Sequence, residues 1–483
     1  MGVIMENMRI LFASSEAVPF AKTGGLADVA GSLPKAVKKL GHDIRLIIPK
    51  YKCIPEIYTK NADYVGYTYV DIGWRHQYCG ILKTVVNGLI VYLLDNEFYF
   101  YRDGLYGYPD ECEQFTFFNK ALLQALPIIG FKPDIIHCND WQTGIVSLLL
   151  NAHYRHLNFF SSIKTLYTIH NLKYQGIFPK EVLNELLGVG WEYFKPDGIE
   201  FFDCVNFMKA GLVYSDAISS VSRTYVEEIK YDFFGENLNQ LIRKRSDSLY
   251  GIVNGIDFEE NNPATDKRLY ANYDSENLAG KKKNKEELQR ELGLPQKKNV
   301  PVIGIISRLV DQKGFDLIAC VLEELLKEDL QIVVLGTGDY RYEEMFKSIA
   351  HRYNKKVSAN IKYDGTLAQR IYAGSDMFLM PSLFEPCGLG QLFSLRYGSV
   401  PIVRETGGLN DTIKSYNEET GDGNGFSFKN YNAHDMLYTI RRALKFYKNG
   451  EIWNNIVKRC MQQDFSWDKS AFEYVDLYDK LIR

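Results

Sequence analysis

RILFASSEAVPFAKTGGLADVAGSLPKAVKKLGHDIRLIIP, residues 9–49, decides the fold. Its first six residues, RILFAS, form a compact apolar run of strand length, and Gly24 and Gly25 punctuate the loop that follows. A helical stripe then runs through Leu26, Val29, Ala30, Leu33, Val37 and Leu40, in steps of 3, 1, 3, 4 and 3. Pro34 lies inside the stripe, which predicts a kink or two successive short helices. Gly41 ends it, and DIRLIIP (43–49) is the next strand. Strand, helix and strand at this spacing make a βαβ unit, which requires a parallel sheet covered by helices.

The same grammar repeats outward. Buried-strand runs occur at DIIHC (134–138), KTLYTI (164–169), AISSVS (217–222) and LYGIV (249–253). From Asn254 to about Val300 the chain turns polar, carries Asn261-Asn262-Pro263, and includes the lysine run 281–283, read as a solvated helix entry. A domain boundary is expected at residues 254–257. Strands resume with PVIGIISR (301–308), QIVVLGTG (331–338), DMFLMP (376–381) and VPIVR (400–404), giving two α/β halves. TGGLAD (23–28) and TGGLND (406–411) echo each other, one per half. In the last stretch Trp467, Ala471, Tyr474, Val475, Tyr478, Leu481 and Ile482 share one face of a final helix.

Composition sets the class. The 483 residues are 46% hydrophobic and 24% charged, with a net charge of −3, the balance of a soluble multidomain protein. That balance argues against a nucleic-acid coat or a polybasic membrane binder. No apolar run approaches the ~18 residues of a membrane span. The start, MGVIMENMRI, reads as a short ragged lead without signal or transit character. Eight scattered cysteines without a CxxC pair read as reduced thiols, so a cytoplasmic location is expected.

In open parallel sheets, ligands bind beyond the carboxyl ends of the strands. The polar and glycine-rich loops at residues 22–25, 137–140, 170–171, 308–313, 336–338, 385–388 and 406–408 all follow strands. If the halves share one site, their carboxyl faces oppose each other across a cleft. Lys22-Thr23-Gly24-Gly25 reads either as an anion cradle at a helix N-terminus or as an ordinary turn. It is no P-loop, and Gly336-Thr337-Gly338 lacks the third glycine of a dinucleotide fingerprint. Arg308 and Lys313 are placed to hold a diphosphate leaving group, or are surface cations with carboxylate neighbours. Glu385 either faces a sugar or answers a helix dipole. His170 and Asn171 are sugar contacts or structural polar residues. Residues 92–118 hold ten aromatics, dense against 14% overall, and packing is the expected role.

Taken together, SSEAVPFAKTGGLADV (14–29), HCNDWQTG (137–144), YTIHNLKYQG (167–176), GIVNGID (251–257), SRLVDQKGFDL (307–317), PSLFEPCGLGQL (381–392) and RETGGLNDTI (404–413) resemble the bacterial glycogen synthase and plant starch synthase family. The resemblance runs from about Arg9 to the C-terminus. It implies the α/β GT-B fold, with two Rossmann-like parallel-sheet domains facing across a cleft and a C-terminal helix crossing back to the first. The implied parts are an acceptor-side starch synthase catalytic domain (1–255), a nucleotide-sugar glycosyl transferase domain (256–463) and the helix (464–483).

The resemblance also implies roles. Lys22 would belong to the ADP-glucose site, with Gly24, Gly25 and Asp28 beside the nucleotide. Arg308 and Lys313 would clamp the diphosphate. His170 and Asn254 would contact the transferred glucose, while Glu385 and the backbone of Cys387 and Gly388 would hold its hydroxyls. Thr406 joins the substrate-binding set, and Asp140 would lie at the acceptor side. Many relatives read HxHDWH where this chain has Asn139 and Gln142. Many retaining GT-B enzymes carry a second acid where this chain has Phe393, with Gln391 the nearest polar residue, so a two-carboxylate double displacement lacks its partner. The implied activity is retaining transfer of glucose from ADP-glucose to the non-reducing end of an α-1,4-glucan, EC 2.4.1.21, without metal or cofactor. Its rivals are a UDP-sugar transferase or epimerase on the same fold, and a silent glucan-binding regulatory protein.

Overall fold

The computed structural model describes residues 7–483, so most of the lead read at the N-terminus lies outside the described residues. The chain divides into two compact units, Met1–Gly255 with Trp467–Arg483, and Ile256–Ser466.

The first unit contains β1 (Arg9–Ala13), β2 (Asp43–Pro49), β3 (Asp63–Ile72), β4 (Arg75–Val86), β5 (Leu89–Asp95), β6 (Ile135–Asn139), β7 (Lys164–Ile169), β8 (Ile177–Pro179), β9 (Glu200–Phe201), β10 (Cys204–Asn206), β11 (Ala217–Ser220) and β12 (Leu249–Gly251). Nine of these form one sheet, in the order β12-β11-β7-β6-β1-β2-β5-β4-β3. Pairing is parallel except where β4 joins β5 and β3, an antiparallel extension at one edge. Strands β8, β10 and β9 make a small antiparallel sheet. At the centre, Phe12 of β1 lies opposite Leu46 on one side and His137 on the other.

The helix after β1, Gly25–Lys39, buries Leu26, Val29, Ala30, Leu33 and Val37, the face that the sequence periodicity marks. It runs unbroken through Pro34, so the expected split into two short helices does not occur. Pro34 is itself buried, and packing of the apolar face outweighs the backbone bond a proline cannot make. The aromatic stretch is core: Tyr99, Phe100, Phe115, Phe117 and Phe118 are fully buried.

The C-terminal helix Trp467–Ile482 belongs to this unit and packs on Gly25–Lys39. It buries Trp467, Ala471, Tyr474, Val475, Leu477 and Tyr478. At about 1.5–3 kcal/mol per large apolar side chain, the helix supplies on the order of 10 kcal/mol of gross stabilisation to the first unit. Polar ties fix its register. Ser470 donates to the Val253 carbonyl (2.7 Å), Arg223 pairs with Glu473 (3.0 Å), and Tyr478 meets His137 Nδ1 at 2.7 Å inside the core.

The second unit contains β13 (Val302–Ile306), β14 (Gln331–Leu335), β15 (Val357–Asn360), β16 (Met377–Met380), β17 (Val400–Arg404) and β18 (Phe426–Phe428), in one wholly parallel sheet of order β15-β14-β13-β16-β17-β18. The expectation for the lysine run is corrected here. Lys281 is buried, and its ammonium donates to the carbonyls of Ala373, Ser375 and Tyr397, each at 3.0 Å. Burial pushes its pKa down to about 7. The run opens the helix Ala279–Glu291, and this first lysine ties that helix to the C-terminal ends of two others, Gly365–Gly374 and Gly390–Arg396. Lys282 and Lys283 are exposed as expected, and Lys283 pairs with Glu287 at 2.6 Å.

Candidate functional site

In the first unit, the loops after the adjacent strands β1, β6 and β7 converge beyond the same sheet edge. Glu16, in the loop after β1, is buried and accepts hydrogen bonds from the Thr23 backbone N–H and from the Thr23 hydroxyl (2.8 Å). Burial raises its pKa, and the bonds from Thr23 oppose that rise. Glu16 thus anchors the stem of the Lys22-Thr23-Gly24-Gly25 loop. Gly24 precedes Gly25–Lys39 and supplies no side-chain cap, so among the described residues no capping side chain takes up the first-turn N–H groups. Lys22 does not stand alone: its ammonium sits 2.6 Å from Asp28 Oδ1. Burial raises the Asp28 pKa, and Lys22 pulls it back.

Asn139 ends β6 and Asp140 follows at φ +54°, a left-handed conformation that costs a non-glycine residue ~1–3 kcal/mol. The strain is answered by the Asp140 carboxylate, whose Oδ1 accepts from the backbone N–H groups of His170 (2.8 Å) and Asn171 (3.3 Å). Desolvation nonetheless raises the Asp140 pKa to about 7. The His170 ring bonds Asn139 Oδ1 through Nε2 at 2.8 Å, and burial pushes its pKa down to about 3, so the imidazole is neutral. Asn254, three residues beyond β12, is buried with Oδ1 unpartnered among the described residues. An orphaned buried amide oxygen costs ~1–3 kcal/mol and suits a ligand hydroxyl.

In the second unit, Arg308 follows β13 and is exposed, its guanidinium without a hydrogen-bond or ion-pair partner among the described residues. Lys313 closes the short turn Asp311–Lys313, and its ammonium lies 2.6 Å from Glu385 Oε2. Both side chains are largely buried, and the Ser382 hydroxyl donates to the same oxygen at 3.1 Å. One carboxylate oxygen is thereby held by two donors. Arg404, buried at the end of β17, braces this loop through the carbonyls of Ser382 (2.8 Å) and Leu383.

The glycines at 407 and 408 are required by close approach. A Cβ on Gly407 would stand 2.0 Å from the Glu385 carbonyl oxygen, at φ +44°, and one on Gly408 would stand 2.1 Å from that of Cys387. The Gly408 N–H donates to the Glu385 carbonyl at 3.1 Å. So the 406–408 turn is pressed backbone to backbone on the 385–388 turn, and buried Thr406 sits at that seam as the residue before the helix Gly407–Thr412. Gln391 is fully buried and donates to the carbonyls of Cys387 and Gly388, both at 2.9 Å. Its amide shapes the turn, and Phe393 packs against Tyr372, so neither position supplies a second acid.

Of the residues singled out in the sequence, Lys22, Gly24, Gly25, Asp28, Asp140, His170 and Asn254 fall in the first unit, and Arg308, Lys313, Glu385, Cys387, Gly388 and Thr406 in the second. Sequence reasoning missed Glu16, Ser382 and Arg404 as supports, and missed Asn139 as a partner of His170. A carboxylate eight residues before a glycine pair was the one available signal, for Glu16. Among the described residues no cluster of three His, Cys, Asp or Glu side chains is arranged to hold a metal ion. No helix among them is long and apolar enough to cross a membrane.

A family profile described as starch synthase catalytic domain matches residues 9–244, and one described as glycosyl transferases group 1 matches residues 284–459. A glycogen synthase of Clostridium novyi is 56% identical, with 98% of this chain and 99% of that protein aligned. A glycogen synthase of Bacillus cytotoxicus is 52% identical, over 99% of this chain and all of that protein. Among solved structures, the catalytic domain of starch synthase IV from Arabidopsis thaliana, bound to ADP and acarbose, superposes with a TM-score of 0.93 at 34% identity, covering 99% of this chain and 100% of that one. Sucrose-phosphate synthase from Thermosynechococcus elongatus shares the fold, with a TM-score of 0.62 at 17% identity over 98% of this chain and 99% of that one.

Proposed function

Because the chain belongs to the glycogen and starch synthase family, enzymes that lengthen an α-glucan by glucosyl transfer, we propose that its donor is ADP-glucose and that the anomeric configuration is retained. The observation that carries the mechanism is Glu385, a single carboxylate held on one oxygen by Lys313 and Ser382, with no acid at Gln391 or Phe393. A double displacement needs a nucleophilic carboxylate and a separate acid–base partner. One pinned carboxylate instead suits orienting the glucose and stabilising the positive charge that grows on it.

In this reading the acceptor hydroxyl attacks on the face from which ADP departs, and a phosphate oxygen of the leaving group takes the acceptor proton. Arg308 and Lys313 meet the negative charge that moves onto the diphosphate, an interaction that strengthens as the bond breaks. Lys313 is shared: the cation that answers the phosphate is also the one that fixes Glu385. Lys22, with the N-terminus of Gly25–Lys39, supports the nucleotide, with Gly24, Gly25 and Asp28 beside it. His170 and Asn254 hold the transferred glucose, and Cys387, Gly388 and Thr406 line its hydroxyls. Asp140 orders the 170–171 turn on the acceptor side. We place the acceptor-side role in residues 1–255, the nucleotide-sugar role in residues 256–463 and the enzyme in the cytoplasm, with neither metal nor cofactor required.

The solved relative's ADP and acarbose support a nucleoside diphosphate and a glucan-like ligand. Purified protein given labelled ADP-glucose or UDP-glucose, with and without glycogen, tests the reading. Polymer labelled faster from ADP-glucose is expected, and faster labelling from UDP-glucose at equal concentration overturns the donor. Trapping of a covalent glucosyl–Glu385 adduct overturns the same-face mechanism.

A further inference from the structure

Asn139 is the last residue of β6, buried beside two neighbouring strands. Its Nδ2 lies 3.0 Å from the Ala13 carbonyl oxygen and 3.4 Å from that of His137. Both are acceptors only, so the amide has one permitted orientation: the NH2 faces the carbonyls and Oδ1 faces the other way. That oxygen is 2.8 Å from His170 Nε2. An amide oxygen cannot donate, so the proton of this bond belongs to the ring nitrogen.

A neutral imidazole carries one ring proton, and with that proton on Nε2 the other nitrogen, Nδ1, is an acceptor. Among the described residues Nδ1 has no hydrogen-bond partner, while the His170 backbone is fixed separately by its N–H on Asp140. Consecutive residues of one strand end therefore hold the same histidine, Asn139 by the ring and Asp140 by the main chain. The titratable groups facing His170 are Asp140, which engages the backbone N–H, and buried His137, whose own ring bonds Tyr478 and Thr168. Among the described residues no carboxylate bonds the ring to favour its charged form.

We propose that Asn139 is a positioning residue that locks His170 in the Nε2–H tautomer, so that Nδ1 is offered to the transferred sugar as a hydrogen-bond acceptor. This rests on the assignment of His170 to the glucose. An acceptor nitrogen receives a hydrogen bond from a sugar hydroxyl and adds electron density beside a ring that becomes positive during transfer. An imidazolium in that place would add positive charge and raise the barrier. A histidine at position 139, as many relatives have, must settle its own tautomer first. An amide clamped by two carbonyls has none to settle.

The test uses the full chain with 15N-labelled histidine. Long-range 1H–15N spectra separate protonated from unprotonated ring nitrogens, and the His170→Asn variant assigns the His170 signals among the eight histidines. The expected pattern is protonated Nε2 and bare Nδ1 at pH 7, unchanged between pH 6 and 8. Asn139→Asp places a carboxylate against Nε2. It should shift His170 to the doubly protonated pattern and lower kcat at least tenfold at pH 6.5, recovering as pH rises, with a smaller change in KM.

Asn139→Leu should give a mixture of tautomers. If either variant fails to fold, the wild-type spectrum still decides the tautomer. A proton on Nδ1 in the wild type overturns the proposal. So does a wild-type His170 pattern with a flat kcat–pH profile in a folded Asn139→Asp variant. Wild-type kcat in His170→Asn instead overturns the assignment of His170 to the sugar, and leaves the tautomer result standing by itself.

Discussion

Asp140→Asn separates a charge from its hydrogen bonds. The asparagine keeps an Oδ1 acceptor for the backbone N–H groups of His170 and Asn171, at 2.8 and 3.3 Å in the native protein. Asparagine meets the same strained backbone at this position, φ +54° and ψ −178°, with a side chain of nearly the same shape as aspartate's. What it removes is a carboxylate whose pKa desolvation raises from 3.8 to about 7. The sign follows from linkage. Below pH 4 the aspartic acid is neutral in folded and unfolded chains and carries no penalty. Between pH 4 and 7 the unfolded chain has released the proton while the folded chain retains it, so stability falls as pH rises; above 7 the loss is complete.

About three pH units at ~1.4 kcal/mol each bound that loss near 4 kcal/mol. Asp140 keeps part of its surface exposed, so about 2 kcal/mol is the share expected of the first unit. The variant should therefore melt roughly 4–8 °C higher than the wild type at pH 8. It should show little difference at pH 4.5 and lose activity if the carboxylate serves the reaction. Thermal melts followed by tryptophan fluorescence from pH 4.5 to 8.5, with glucosyl transfer measured alongside, read both effects. A variant less stable than wild type at pH 8, or a difference that ignores pH, refutes burial as the cause of the raised pKa.

Lys313→Ala and Arg308→Ala should each lower kcat roughly 10²–10³-fold with a small change in donor affinity, the usual cost of losing one charge-stabilising donor; unchanged kcat in both variants would remove them from the leaving-group role. Gly407→Ala forces a Cβ to 2.0 Å from the Glu385 carbonyl at φ +44°, so transfer should collapse while a separate melting transition of the first unit stays put, and intact activity would show that the Glu385 turn yields without consequence. Tyr478→Phe removes the 2.7 Å bond to His137 Nδ1 in the core and should cost about 1–2 kcal/mol in urea titration, and truncation after Gln463 should prevent the first unit from folding; a truncated chain with unaltered melting and kinetics would show that the helix contributes nothing.

The strands that build the two sheet centres were legible because parallel strands buried on both faces read as unbroken apolar runs. KTLYTI is β7 residue for residue, and VPIVR is β17. Edge strand β12 was legible through LYGIV, but the other edge strands were not, for the same reason inverted. Strand β3 is exposed along most of one face, so DYVGYTYVDI carries no compact apolar signal, and short β15 and β18 lie at sheet edges. β5 (LIVYLLD) has such a signal, but it runs into the aromatic stretch and was read with it. Lys281 shows a further limit. Charge in a helix reads as solvent-facing, and only three carbonyls arriving from residues 373, 375 and 397 turn that position inward.

The site divides along the same line. What the motifs carry is the chemistry-bearing residue types, each in a loop that follows a strand: Lys22, Asp140, His170, Arg308, Lys313 and Glu385. What they omit is which of these hold one another. Lys313 and Glu385 are 72 residues apart and share a 2.6 Å ion pair, because β13 and β16 are neighbours in the sheet. Asn139 and His170 are 31 residues apart and share a bond because β6 and β7 are neighbours. In both pairs, strand order converts a distant pairing into a contact, and strand order is a property of the crossover connections, not of any motif. A substitution that leaves every chemistry-bearing side chain in place can therefore still disable the enzyme by shifting the adjacent strand ends. Gly407→Ala, whose added Cβ meets the backbone carbonyls of Glu385 and Pro386 and no side chain, is a case of this kind.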